Sequence, residues 1–322
     1  MKAAIYRETG PSSVLSVQEI ETPVPGPARV RVRVAYSGVN PTDWKTRSGA
    51  TGGNPAGFQV PHQDGSGVID AVGEGVAERA IGQRVWLFLA AAANRYGTAA
   101  EYSVVPVERA VPLPDGASFE LGACLGVPAV TAAHCLGGRD ALAGANVLVA
   151  GGAGAVGHYA IELAKHAGAR VVTTVSTEEK AELARAAGAD LVVNYREPGA
   201  IERVKAFAPR MDRIVELALG ANLDLDLAVA GPGTVIVVYA AEPRDPVLPT
   251  RRFMTANVAV RFVLLYGVPG KELAAAVGWT SEALADGALS VLPLQRFSLD
   301  DVAAAQDAVE RGAVGKVLVI PG

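Results

Sequence analysis

The residues of this chain best placed to do chemistry are three glycines. In Gly152-x-Gly154-x-x-Gly157 they follow the apolar run Val147–Ala150 and lead straight into a helical pattern. That order builds a phosphate site. The first glycine permits a tight turn, the second lets the backbone approach a pyrophosphate, and the third lets the helix pack close to the strand. Ala155 and Val156 open the helix, whose first N–H groups and partial positive charge serve the phosphates. A dinucleotide is the ligand this arrangement takes. An acid for the ribose hydroxyls should then end the second strand, about 20 residues past the turn. Here that strand ends Thr173-Thr174-Val175-Ser176-Thr177, and Lys180 follows a helical turn later. A small hydroxyl with a nearby lysine suits a ribose phosphate, which an acid would repel, so NADPH is expected over NADH. Glu178 and Glu179 stand close by, and Ser176 or Thr177 with Glu179 or Lys180 also reads as a helix cap.

The elements that must hold this turn alternate. Val147–Ala150, Val171–Val175, Leu191–Val193, Ile214–Leu217 and Val235–Tyr239 read as strands, with Val258–Leu265 as a sixth. Helices are expected at Val156–Ala167 and Glu178–Ala187, the first with Val156, Ala160, Leu163 and Ala167 on one stripe. Near-continuous apolar strands separated by helices mean a parallel sheet covered on both faces. The fold class is α/β: a doubly wound Rossmann sheet over residues 121–267, with the ligand at the carboxyl ends of its strands. The first 120 residues differ. Val30, Val32 and Val34 alternate with Arg29, Arg31 and Arg33, as in a half-buried strand of an antiparallel sheet. Ser66–Val72 and Gly82–Leu89 read as further strands, and Pro23, Pro25 and Pro27 mark an extended connection. A helix at Lys271–Ala285, the stretch Leu292–Leu299, a helix at Asp301–Glu310 and a strand at Lys316–Ile320 close the chain. Residues 268–322 are expected to return to the first, β-rich domain.

Composition bounds the function. A chain of 322 residues suggests about two domains. A net charge of −4 argues against a nucleic-acid surface built on bulk positive charge. Two cysteines, Cys124 and Cys135, make neither a disulfide framework nor a four-cysteine zinc lobe, and read as reduced core thiols. Met1–Ile5 carries one lysine and a short apolar stretch, so no signal peptide is expected. Val85–Ala93, the longest apolar run, is far short of a membrane span. A cytoplasmic protein is the expectation, with no membrane partner.

Several stretches together resemble a known family: Ser37–Trp44, Asp64–Gly73, Gly82–Trp86, Ala99–Tyr102, Leu113–Gly116, Gly126–Ala132, Val147 through Arg196, and Gly315–Val317. In this order they are similar to the zinc-independent medium-chain dehydrogenases/reductases of the quinone oxidoreductase (zeta-crystallin-like) type. The resemblance implies a GroES-like β-rich catalytic domain beside the Rossmann domain. It also implies what is missing. Asn40 stands where zinc-dependent relatives carry the first cysteine ligand. Gln63 stands where they carry histidine, with His62 displaced by one, and Val127 where they carry a later thiolate. An amide and a valine suit Zn2+ poorly, so no metal is expected. Among relatives the residue matching Asn40 faces the nicotinamide, where it serves the carboxamide or the substrate carbonyl; the alternative is service to its own loop. Thr131 matches a residue against the cofactor. Ser176, Lys180 and Tyr195 match positions that hold the adenosine phosphate. Tyr239 and Ala240 end a strand whose backbone lines the nicotinamide, and Gly315 and Lys316 match a pair near the same cleft. Asp43 either caps its loop or opens a proton path through Thr42, and Trp44 either walls a flat substrate or packs the core.

The implied chemistry is hydride transfer from NADPH to a conjugated carbonyl, a quinone or an enone, with a hydrogen bond or water in place of a metal at the developing oxyanion. Two alternatives stay open on the same scaffold: an enoyl or alkenal reductase, and a crystallin-like protein that binds NADPH without turnover. The edge at Val258–Leu265 is expected to pair with a second copy in a homodimer. The loops Ser48–Val60 and Ala90–Thr98 are the least family-like, and loops of this kind set specificity.

Overall fold

Alternation of Val and Arg along residues 29–34 does what period-2 patterning dictates. In the computed structural model, which describes residues 1–322 except the side chain of Arg79, Val30, Val32 and Val34 are buried within the strand Arg29–Val39. On the other face, Arg31 forks onto Asp70 at 2.9 Å and lies over the Tyr102 ring. This strand is the spine of a seven-stranded sheet. It pairs antiparallel with Asp64–Val72, Tyr102–Pro106 and Lys316–Ile320. Arg84–Leu87 and Ala110–Pro112 extend the sheet on one side. On the other side Leu294–Ser298 joins Lys316–Ile320 in the one parallel pair. Lys2–Ile5 and Ser16–Glu19 form a separate two-stranded ribbon.

The second sheet has six strands, all parallel. Their order is Leu191–Asn194, Arg170–Val175, Asn146–Ala150, Arg213–Glu216, Val235–Val238, Ala259–Phe262. The order reverses at Asn146–Ala150, the strand before the glycine turn, so the turn sits at the topological switch point where such sheets bind ligands. Leu148, Val172, Val193, Ile214 and Ile236 are fully buried in its core.

The chain divides into two units, Met1–Val127 with Val291–Gly322, and Pro128–Ser290. The second crossing therefore lies at residue 290, and not at 267 as the pattern suggested. The reason is the helix Gly270–Ala285. It buries Ala276, Trp279, Ala283 and Leu284 and packs against the helix Ala155–His166 of the parallel-sheet unit. The first crossing falls inside the helix Phe119–Leu136, at Pro128, seven residues beyond the expected boundary. By length and composition that helix could span a membrane, but 78% of it is buried inside the protein, as in a core helix. Cys124 and Cys135 lie on it as free, buried thiols, and burial pushes each up to about 12. Neither is a ready nucleophile.

Candidate active site

In the parallel-sheet unit, the glycine turn is closed by the Gly154 N–H donating to the Gly151 carbonyl at 2.9 Å. A β-carbon on Gly152 would lie 2.2 Å from Thr173 Oγ1, and one on Gly157 would lie 2.3 Å from the Gly151 carbonyl. Both glycines are therefore required by packing. Gly154 is different. A β-carbon there meets only the Gly151 carbonyl, at 3.4 Å, and otherwise projects into open space. Gly154 also N-caps the helix Ala155–His166 and offers no side chain to its first N–H groups. Open space before uncapped N–H donors fits a pyrophosphate.

The residues expected on the adenosine side lie at or just beyond the carboxyl ends of adjacent strands. Lys180 Nζ donates to Ser176 Oγ at 3.4 Å, while Thr177 is the residue that caps the next helix, accepting from the Lys180 N–H. The expected cap is thus Thr177, and Ser176 keeps its hydroxyl for other partners. Tyr195 follows Leu191–Asn194, half exposed, with the Arg196 guanidinium 5.8 Å from its ring centre. Thr131 is buried on its helix. Tyr239 and Ala240 follow Val235–Val238 and are half-buried. Burial, with Cys135 and Glu216 nearby, raises the Tyr239 phenol well above its ordinary value. One buried carboxylate here has no signal in the sequence. Glu216 ends its strand at the switch point and accepts from the Leu217 N–H at 2.7 Å, the Ala218 N–H and Asn222 Nδ2, so it shapes the turn next to Gly151. Burial and the Glu216 charge push its neighbour Asp226 up to about 9.

In the β-rich unit, the candidates gather around Asp64, which is fully buried. Asn40 Nδ2 donates to Asp64 Oδ2 at 2.7 Å, and the Val127 N–H donates to Asp64 Oδ1 at 2.7 Å. Lys316 Nζ donates to Asn40 Oδ1 at 2.5 Å and stands 3.6 Å from Asp64 Oδ2. Burial pushes the Asp64 carboxyl up, and Lys316, Asn40 and the Val127 N–H pull it down. Lys316, expected at the cofactor, has its ammonium committed to these two side chains. Asp43 accepts from the Asn40 N–H at 2.7 Å and the Gln63 N–H at 3.2 Å, in a capping box on the helix Pro41–Ser48. Of its two expected roles, capping is the one this geometry displays. Burial and the charge of Asp64 push its carboxyl up to about 8. Thr42 and Trp44 are half-buried on the same short helix, where the Lys45 ammonium lies 5.8 Å from the Trp44 ring centre.

Behind this cluster runs a buried polar chain whose direction can be deduced. Thr98 Oγ1 donates to the Asp64 carbonyl, so it accepts from Ser37 Oγ at 2.8 Å. Ser37 therefore accepts from His62 Nδ1 at 2.9 Å. His62 Nε2, left as the acceptor, takes Gln306 Nε2 at 3.2 Å, and Gln306 Oε1 takes Arg47 Nε at 2.7 Å. The chain is satisfied only with His62 neutral, and burial lowers the imidazole to about 3, in agreement. His62 is held there with φ of +77°, an uncommon conformation for a residue with a β-carbon. Nothing in the sequence pairs His62 with Gln306, 244 positions away.

Residues 26–115 match the alcohol dehydrogenase GroES-like domain, and residues 155–282 match the zinc-binding dehydrogenase domain. The chain belongs to the quinone oxidoreductase family of medium-chain dehydrogenases/reductases, and is an oxidoreductase. It is similar to a quinone oxidoreductase of Sus scrofa at 30% identity, over 98% of this chain and 96% of the relative. Mycobacterial Rv1454c complexed with NADPH superposes with a TM-score of 0.85 at 28% identity, covering 100% of both chains. An NAD-dependent alcohol dehydrogenase superposes with a TM-score of 0.88 at 26% identity, again over 100% of both.

Kinship with zinc-binding dehydrogenases implies a zinc ion, and the residues at the expected ligand positions do not suit one. Both ends of the Asn40 amide are engaged, and the Gln63 carbonyl oxygen accepts from the Ala91 N–H at 3.1 Å. Val127 offers carbon where a thiolate is needed, and the Lys316 ammonium already supplies positive charge beside Asp64. Among the described residues, no group of three or more His, Cys, Asp or Glu side chains is arranged to hold a metal.

The glycine turn makes a discriminating prediction. Gly154→Ala should fold with nearly the parent melting temperature yet weaken dinucleotide binding by at least about tenfold, since its methyl enters the open space that the second glycine leaves for pyrophosphate. Gly157→Ala should instead lose roughly 1–3 kcal/mol of stability through overpacking. Thermal melts and fluorescence titration read both; parent-like dinucleotide affinity in Gly154→Ala would contradict the assignment.

Proposed function

We propose that the protein is a zinc-independent, NADPH-dependent reductase of quinones or similar conjugated carbonyls. The observation that carries this reading is the set of residues at the metal-ligand positions: an amide at Asn40, an amide at Gln63 and a valine at Val127, with the Lys316–Asp64 pair beside them. That set polarises no alcohol and holds no hydroxide, but it retains a hydrogen-bond donor, the Asn40 amide, for a carbonyl oxygen. Quinones need little more, because their reduced forms are stable aromatics.

In this reading Gly152, Gly154 and Gly157, with the N–H groups of Ala155 and Val156, bind the pyrophosphate. Ser176 and Lys180 bind the ribose phosphate, beside the Tyr195 ring; the absence of an acid at the end of Arg170–Val175 supports NADPH over NADH. Thr131, Tyr239 and Ala240 orient the nicotinamide end. When bound, NADPH supplies the hydride. Asn40 meets the acceptor oxygen, and Asp43 maintains the Asn40 loop through its capping box. The acceptor is a small molecule, and no role for nucleic acid is proposed.

The same reading includes a homodimer. The strand at Val258–Leu265 is shorter than expected, Ala259–Phe262, and is the outer strand of the parallel sheet. Phe262 and Leu264 are largely exposed there. An unpaired edge with exposed apolar side chains supports pairing with a second copy. Sedimentation velocity should give twice the chain mass of 33.0 kDa, and Phe262→Glu should shift it toward the monomer; a monomeric parent would overturn this part.

The catalytic reading is tested by an acceptor panel run with NADPH and NADH in parallel. kcat/KM with 1,4-benzoquinone should favour NADPH by about tenfold or more, the worth of one charge-assisted hydrogen bond, and Lys180→Glu should abolish the preference. Zinc-dependent oxidation of ethanol as the dominant activity would refute the proposal.

A further inference from the structure

Asn40 has one amide hydrogen to spare. Its Nδ2 carries two, and one is given to Asp64 Oδ2. The other is not taken by Asp64, and Asn40 is only 3% exposed, so this hydrogen lies in the protein interior. A buried donor is costly unless it meets an acceptor, so its direction matters. The neighbours fix that direction. An ammonium can only donate, and it sits on Oδ1. A carboxylate can only accept, and it sits on Nδ2. With both ends fixed, the amide cannot flip, and the spare N–H has one direction.

We propose that Lys316 is a positioning residue: its ammonium locks the Asn40 amide so that the spare N–H is presented, preorganised, to the carbonyl oxygen of an incoming neutral acceptor. The inference rests on the quinone-reductase reading and adds what sets acceptor class. A fixed N–H recognises an oxygen lone pair. It cannot take a proton from an alcohol, so the cluster favours carbonyl acceptors over alcohol donors. Lys316 and Asp64 balance each other in charge, so the cluster draws in a neutral ligand and not an anion. Lys316 begins the strand Lys316–Ile320, with its N–H donating to the Pro293 carbonyl at 2.8 Å, so the ammonium is anchored by sheet backbone and not by a loop.

The test is Lys316→Met against Lys316→Arg, in the full chain. Lys316→Met removes the donor and frees the amide to flip. Its kcat/KM for 1,4-benzoquinone should fall about ten- to hundredfold, chiefly in kcat, less than the outright loss of one oxyanion donor because the amide is misaligned and not removed. Its Kd for NADPH should stay within about twofold, and Lys316→Arg should restore most of the turnover. If Lys316→Met fails to fold because Asp64 is left unpaired, Lys316→Met/Asp64→Asn removes both charges and should show the same loss. In protein labelled with 15N-asparagine, the slowly exchanging Asn40 side-chain amide should be present in the parent and Lys316→Arg and lost in Lys316→Met. That readout needs no turnover: a parent inactive on quinones and enones would refute the functional reading, while the amide signal still decides the role of Lys316. The proposal is overturned if the folded Lys316→Met keeps kcat/KM within about twofold of the parent, if it loses NADPH affinity as much as turnover, or if its Asn40 amide signal is unchanged.

Discussion

A single buried carboxylate governs the polar interior of the β-rich unit. Asp64 has no solvent, so each of its lone pairs must be met by the protein. One oxygen takes the Val127 N–H and the other takes Asn40, while the Lys316 ammonium stands beside it as counter-charge. Its backbone carbonyl takes Thr98 and so begins the chain through Ser37, His62 and Gln306 to Arg47. The packing is as tight as the electrostatics. A β-carbon on Gly126 would lie 2.2 Å from Asp64 Oδ1, so only glycine lets the helix Phe119–Leu136 approach the carboxylate and offer the N–H that follows. Breaking such a buried arrangement on one side leaves a charge unpaired, which costs several kcal/mol.

In the function proposed above, this arrangement takes the place of a metal. A catalytic zinc does two things: it fixes the ligand side chains around it, and it stabilises developing negative charge. Here the first task falls to the Lys316–Asn40–Asp64 cluster, in which donor-only and acceptor-only groups determine one amide orientation. The second is, in the proposed function, left to a single hydrogen bond, enough for an acceptor whose reduced form is already stable. The glycine turn of the other unit needs no such network. Its shape follows from local packing, with Gly152 and Gly157 closed by steric contact and Gly154 left open.

Local features were the legible ones in the sequence. The valine–arginine alternation gave the spine strand, the apolar runs gave the six parallel strands, and the glycine spacing gave the turn, because each depends on residues within a few positions. The unit boundary was not legible. The apolar stripe of Gly270–Ala285 says that a face is covered but not by what. The polar cluster was legible only in part. Asn40, Asp43 and Lys316 were singled out by resemblance, but the ammonium's commitment to Asn40 spans 276 positions, and the Arg47–Gln306 bond spans 259. No periodicity or spacing encodes pairings that the topology alone brings together. The short strand at Ala259–Phe262 is a smaller case: the apolar run continues to Leu265, but the chain leaves the sheet to turn at Leu265–Gly267.

The proposed function has an organised amide, and not a metal, serve the reacting carbonyl. The most direct measurement is turnover of NADPH with 1,4-benzoquinone by protein dialysed against chelator, with metal content determined on the same sample. The account predicts full activity with substoichiometric zinc and no gain on adding it back. Activity that disappears with the metal and returns in proportion to bound zinc would contradict it.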